Sequence, residues 1–142
     1  MNCLKWADVE QNEVIGKRIL LVEDDPSARE SIKLLLTIDR YNVTEAKDGS
    51  EALALMARKS FDLVVLDFFM PGMQGTEVAL NIKRIAPSLP ILMVTAYLEK
   101  LSGFETLVNA VLSKPFAVAD LRKGVAKLLS GKATKASLPR AK

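Results

Sequence analysis

The chain has 142 residues with 20 Lys and Arg against 17 Asp and Glu, no histidine, one cysteine and nearly half its residues apolar. That is one domain of ordinary size with a true core, and Cys3 alone cannot form an internal disulfide. The lack of histidine excludes every mechanism that needs an imidazole base, an imidazole metal ligand or a phosphohistidine within the chain. With no internal disulfide, a reducing, cytoplasmic setting is expected; no apolar stretch approaches the ~18 residues of a membrane span, and the acidic start does not read as a signal peptide. The net charge of +3 belongs to residues 131–142, which carry Lys132, Lys135, Arg140 and Lys142 and no acid. Such a dispersed basic end reads as a solvated tail, and direct nucleic-acid binding is not expected of it.

Residues 1–16 show no sustained periodicity and read as an extension with Leu4 and Trp6 packing on the domain. Five apolar runs follow, near 18–22, 41–46, 62–66, 91–94 and 110–113, each short enough to be a strand buried on both faces. Helical patterns lie between and after them, over Pro26 to Thr37, Ser50 to Arg58, Thr76 to Ile85 and Ala117 to Ser130, with a poorly defined stretch from Leu98 to Val108. Asp25-Pro26 supplies an N-cap followed by proline at the first helical position, and Asp48-Gly49-Ser50 a turn and then a cap. Repeated βα order predicts a parallel sheet with helices on both faces, over residues 17–130.

The chemistry gathers where the strands end. Glu23-Asp24-Asp25 follows the first run, Asp67 the third, Thr95 the fourth and Lys114-Pro115 the fifth, which is where open α/β sheets place their sites. Like-charged carboxylates at close range repel, and a hard divalent cation is the usual remedy. Magnesium held by Asp24 and Asp67 directly, by Glu23 through water and by a loop carbonyl, that of Phe69, is the expected set. Asp25 is assigned to the helix cap instead. Thr95 offers a hydroxyl and Lys114 a mobile charge to a phosphoryl group, and Asp67 is the candidate nucleophile. Any one of these residues alone would pass for a capping or solvated side chain; their joint placement carries the signal.

These residues resemble the receiver domain of two-component response regulators, through Leu21-Val22-Glu23-Asp24-Asp25-Pro26, Asp48-Gly49, Asp67 with Met70-Pro71-Gly72-Met73, Thr95-Ala96 and Lys114-Pro115-Phe116. The resemblance implies a flavodoxin-like doubly wound sheet of five parallel strands in the order 2-1-3-4-5. It implies that Asp67 accepts a phosphoryl group from a sensor histidine kinase or a histidine phosphotransfer protein. Magnesium would then sit at Glu23 and Asp24, phosphoryl contacts would come from Thr95 and Lys114, and Lys114-Pro115 would be a cis peptide. Two departures stand out: Val111 occupies the place, three residues before Lys114, where many receivers carry an aromatic, and the interval from Thr95 to Lys114 is about one helical turn short. A short or irregular fourth helix is therefore expected.

The functional expectation is a stand-alone receiver that signals to a downstream protein target, with a homodimer left open. Two other readings are kept beside it. A magnesium-dependent aspartate-nucleophile phosphohydrolase would share the strand-end aspartate but needs an acid two residues later, where Phe69 stands. A degenerate receiver used only for docking would not need Asp24, Asp67, Thr95 and Lys114 intact. The domain is accordingly expected to be no enzyme beyond its own phosphorylation and dephosphorylation.

Overall fold

The computed structural model describes residues 16–70, 72–97, 100, 103 and 105–131. The expectations for the amino-terminal extension and the basic tail lie outside these residues, apart from Gly16 and Gly131. Its elements run β1 (Arg18–Val22), α1 (Pro26–Ile38), β2 (Asn42–Ala46), α2 (Gly49–Met56), β3 (Leu63–Asp67), α3 (Gly75–Ile85), β4 (Ile91–Thr95), a 3-10 turn (Glu105–Leu107), β5 (Ala110–Ser113) and α4 (Val118–Ser130). All five strands are parallel, in the order β2-β1-β3-β4-β5. This is the flavodoxin-like topology that the family resemblance implies.

The apolar runs are continuous because the sheet buries both faces. Along β1 and β3, Leu20, Val22, Val64 and Leu66 pack with Ala52, Val78, Ala79 and Ile82 of α2 and α3. The alternate residues Ile19, Leu21, Leu63 and Val65 pack with Ile32 and Leu36 of α1 and with Leu121, Val125, Leu128 and Leu129 of α4. Side chains in a strand alternate between faces, so one run feeds two cores. At the foot of the sheet the Asn109 carboxamide oxygen accepts from the Ile91 amide at 2.9 Å and from Lys83 Nζ at 3.3 Å, tying β4 to α3 and to the approach of β5.

The helix starts follow local chemistry. Asp25 caps α1 by accepting from the Ala28 amide at 3.0 Å, with Pro26 at the first helical position. Asp48 caps α2 by accepting from the Glu51 amide at 2.8 Å, while the Glu51 carboxylate accepts from the Lys47 amide at 2.8 Å. The helix therefore starts at Gly49, a residue before the sequence pattern places it, because Asp48 rather than Ser50 reaches the open amides. Helix α1 ends with the Tyr41 amide donating to the Leu36 carbonyl and Arg40 at φ 71°. That is a Schellman ending in which arginine occupies the left-handed position that glycine usually fills.

Between β4 and β5 the described residues include the 3-10 turn at Glu105–Leu107, and Lys100, also 3-10 in conformation, donates its amide to the Tyr97 carbonyl at 2.9 Å. Residues 98–99, 101–102 and 104 of the stretch in which a short or irregular fourth helix is expected lie outside the described residues. Helix α4 carries Gly124 in its interior, where an added Cβ would lie 3.9 Å from the Leu92 methyls, an ordinary contact. Gly124→Ala is expected to stabilise the domain by about 1 kcal/mol through helix propensity. A rise of about 4 °C in Tm should follow by circular dichroism, and an unchanged or lower Tm would show that α4 cannot accept the side chain.

Candidate functional site

The sheet delivers four groups to one end. Asp67 is the last residue of β3 and Thr95 the last of β4, while Glu23 follows β1 and Lys114 follows β5. Register makes them neighbours: Val22 pairs with Leu66, Asp67 with Val94, and Thr95 with Ser113. The Lys114 amide donates to the Thr95 carbonyl at 2.8 Å, extending the ladder by one bond, and the Lys114-Pro115 peptide is cis as expected.

Three carboxylates meet there. Glu23, Asp24 and Asp67 each offer an oxygen within 4.8 Å of the others. Glu23 and Asp67 are buried and Asp24 half-buried. Lys114 reaches between them, with Nζ 3.3 Å from Asp67 Oδ1 and 3.4 Å from Glu23 Oε1. The other Glu23 oxygen accepts from the Asp25 amide at 3.2 Å. Asp25 itself is exposed and engaged in its cap, as assigned.

Burial raises both buried carboxyls above the usual carboxylate range. For Glu23 the Asp67 charge adds to burial and Lys114 opposes it. For Asp67 burial is the main cause, Lys114 opposes it, and Asp24 adds a smaller push upward. Burial works against the Lys114 ammonium, yet Asp67 and Glu23 outweigh it and hold the ammonium above its ordinary value. The pocket is thus short of positive charge, and a second cation would lower the cost of keeping its carboxylates ionised.

Thr95 is buried, and its hydroxyl oxygen accepts from the Tyr97 amide at 2.8 Å. With an acceptor lone pair engaged, the hydroxyl proton is left to donate. Phe68 and Phe69 part company after β3: Phe68 is buried in the core while Phe69 is 57% exposed. The ring of Phe69 lies 5.6 Å from that of Tyr97, tilted by 57°, and Lys100 Nζ stands 5.7 Å over the Tyr97 ring.

Two supports flank these groups, one of them, Gly75, in the loop whose glycines the sequence places beside Asp67. Gly75 opens α3 directly against the Asp67-Phe68 backbone, its amide donating to the Phe68 carbonyl at 2.8 Å. A Cβ there would lie 2.6 Å from Phe68 Cα and 2.7 Å from both the Asp67 and Phe68 carbonyl oxygens. Arg29, on the first turn of α1, reaches back to the Glu23 carbonyl at 2.8 Å. Arginine is common enough in the first turns of helices that only the folded distances single out Arg29.

The topology, the strand-end carboxylates and the lysine define a class of α/β domain with an acidic cluster at the carboxyl end of its parallel sheet, and comparison with known proteins makes it specific. Residues 19–126 match the response regulator receiver domain model. The chain belongs to that family. It is 41% identical over 107 residues to the response regulator MprA of Mycobacterium sp. (strain KMS), covering 73% of this chain and 46% of the relative. It therefore spans about half the length of the curated relatives it matches. Among solved structures, the response regulator protein TrrA from Thermotoga maritima, in complex with Mg(2+)-BeF, superposes with a TM-score of 0.75 at 36% identity, over 79% of this chain and 98% of that one. A CheY-like receiver domain protein from Methanospirillum hungatei JF-1 superposes with a TM-score of 0.76 at 29% identity, over 82% and 95% of the respective chains.

Proposed function

We propose that this receiver accepts a phosphoryl group on Asp67 from the phosphohistidine of a sensor histidine kinase or a histidine phosphotransfer protein. The observation that carries this reading is Lys114 Nζ set 3.3 Å from Asp67 and 3.4 Å from Glu23 beside a three-carboxylate cluster. A carboxylate oxygen of Asp67 forms the new bond to phosphorus as the nitrogen–phosphorus bond of the donor breaks, and the imidazole leaves. Lys114 and the Thr95 hydroxyl meet the phosphoryl oxygens, and the chain, having no histidine of its own, depends on a partner for the donor.

The donor set fits magnesium: all oxygen, close together, and with two members buried in need of a counter-charge. Asp24 and Asp67 would hold the ion directly and Glu23 through water, with the Phe69 carbonyl completing the protein ligands. When bound, magnesium neutralises charge on the transferring group. The Mg(2+)-BeF complex of the similar TrrA supports this assignment.

The phosphorylated domain signals through protein contacts to a downstream target in the cytoplasm. Among the described residues no helix is long and apolar enough to cross a membrane. It turns over no external phosphate ester: Phe69 holds the place where an aspartate-nucleophile hydrolase keeps its second acid. The test is labelling with acetyl phosphate or a phosphorylated kinase. Native protein should gain a base-labile acyl phosphate only with magnesium, and Asp67→Asn should abolish it. Undiminished labelling of that variant would move the phosphosite elsewhere.

A further inference from the structure

The carboxylates of Glu23 and Asp24 sit where β1 leaves the sheet, and something must hold that stretch of backbone once the strand ladder stops. The Glu23 amide still pairs with the Ala46 carbonyl at 3.1 Å. Its carbonyl has no strand partner, and the Arg29 guanidinium takes it: Nη1 lies 2.8 Å from the Glu23 oxygen and 3.5 Å from the Asp24 oxygen. The same guanidinium is held from the other side, with Nε 3.3 Å from Glu45 Oε1 on β2. Lys33 Nζ lies 2.9 Å from the second Glu45 oxygen and, chiefly through that hydrogen bond, lowers the Glu45 carboxyl below its ordinary value. Arg29 is four-fifths buried, and its planar fork spans acceptors on β2 and on the segment that follows β1.

We propose that Arg29 is a positioning residue for the metal site: it locks the Glu23-Asp24 peptide so that the Asp24 carboxylate faces Asp67, and Glu45 with Lys33 holds the fork in place. The inference rests on the magnesium reading above. It also makes a prediction opposite in sign to simple electrostatics. A cation seated on the backbone that carries two of the carboxylates should by charge alone repel magnesium, so its loss ought to tighten binding if charge were all that mattered. If orientation matters more, its loss should weaken binding, as removal of a group that orients a ligand does by about tenfold or more.

The measurement is titration of the full chain with MgCl2 followed by amide chemical shifts, which report metal affinity and an intact fold together. Arg29→Met should raise the magnesium Kd by about tenfold with the shift pattern of the rest of the sheet preserved. Arg29→Lys keeps the charge but loses the fork, and should also bind more weakly than the native chain. It serves as the second variant if the methionine protein fails to fold. An unchanged or tighter Kd in a folded Arg29→Met chain, or native affinity in Arg29→Lys, would overturn the proposal. Native protein with no saturable shift at the Asp24 and Asp67 amides would instead overturn the magnesium reading itself.

Discussion

Gly75→Ala is expected to cost the domain about 3 kcal/mol and about 10 °C or more in Tm. The added methyl would meet backbone atoms of Asp67 and Phe68 at 2.6–2.7 Å, and backbone cannot swing aside as a side-chain tip can. Either α3 backs away, breaking the 2.8 Å bond from the Gly75 amide to the Phe68 carbonyl, or the strand end carrying Asp67 shifts. The second response moves the nucleophile, and displacements of about 1 Å can cost about a hundredfold in rate. Thermal unfolding and acetyl phosphate labelling should therefore both suffer. The same substitution at Gly124 carries the opposite sign, since the neighbours there stand 3.9 Å away. A Gly75→Ala domain that melts and labels like the native one would show that the α3 start is not fixed against Asp67.

The second large effect is on the lifetime of the phosphorylated state. Hydrolysis needs a water in line with phosphorus, and the side chains two residues beyond Asp67 and Thr95 border that approach in receivers. Here they are Phe69 and Tyr97, both exposed and paired ring to ring at 5.6 Å. Neither offers a carboxylate or amide to orient a water, so the acyl phosphate should be long-lived for a receiver. Phe69→Asn with Tyr97→Glu should hasten its decay by about tenfold or more, each tenfold being ~1.4 kcal/mol of barrier. Because the two rings touch, the single variants should not add. The assay is loss of phosphoryl label from purified protein in excess magnesium. Native protein that decays as fast as the double variant would refute shielding.

The strands were legible because a parallel sheet covered on both faces leaves uninterrupted apolar runs such as Leu63 to Leu66, and because chemistry in such sheets collects at their carboxyl ends. Asp25 could be told from its neighbours because the following proline marks a helix start. Other features depend on tertiary proximity alone. Nothing in Phe68-Phe69 says which ring turns inward; the structure buries the first and exposes the second. Arg29 and Glu45 lie sixteen residues apart, and their pairing follows from the β1–β2 register, which apolar pattern alone does not display. The positive φ of Arg40 was likewise hidden, since arginine carries no preference for that backbone region.

Lys114 bridges Glu23 across 91 positions of sequence and Asp67 across 47. Contacts so distant along the chain exist only after the long intervening loops have closed, an entropic toll that local helices never meet. A folding chain with β1, β2 and β3 already paired would display its acids without their lysine, and it would acquire that lysine only when β5 docks as the last strand of the sheet. The complete cluster of acids and lysine therefore exists only with the edge strand β5 in place, and a chain that frees β5 leaves the buried carboxylates without their counter-charge.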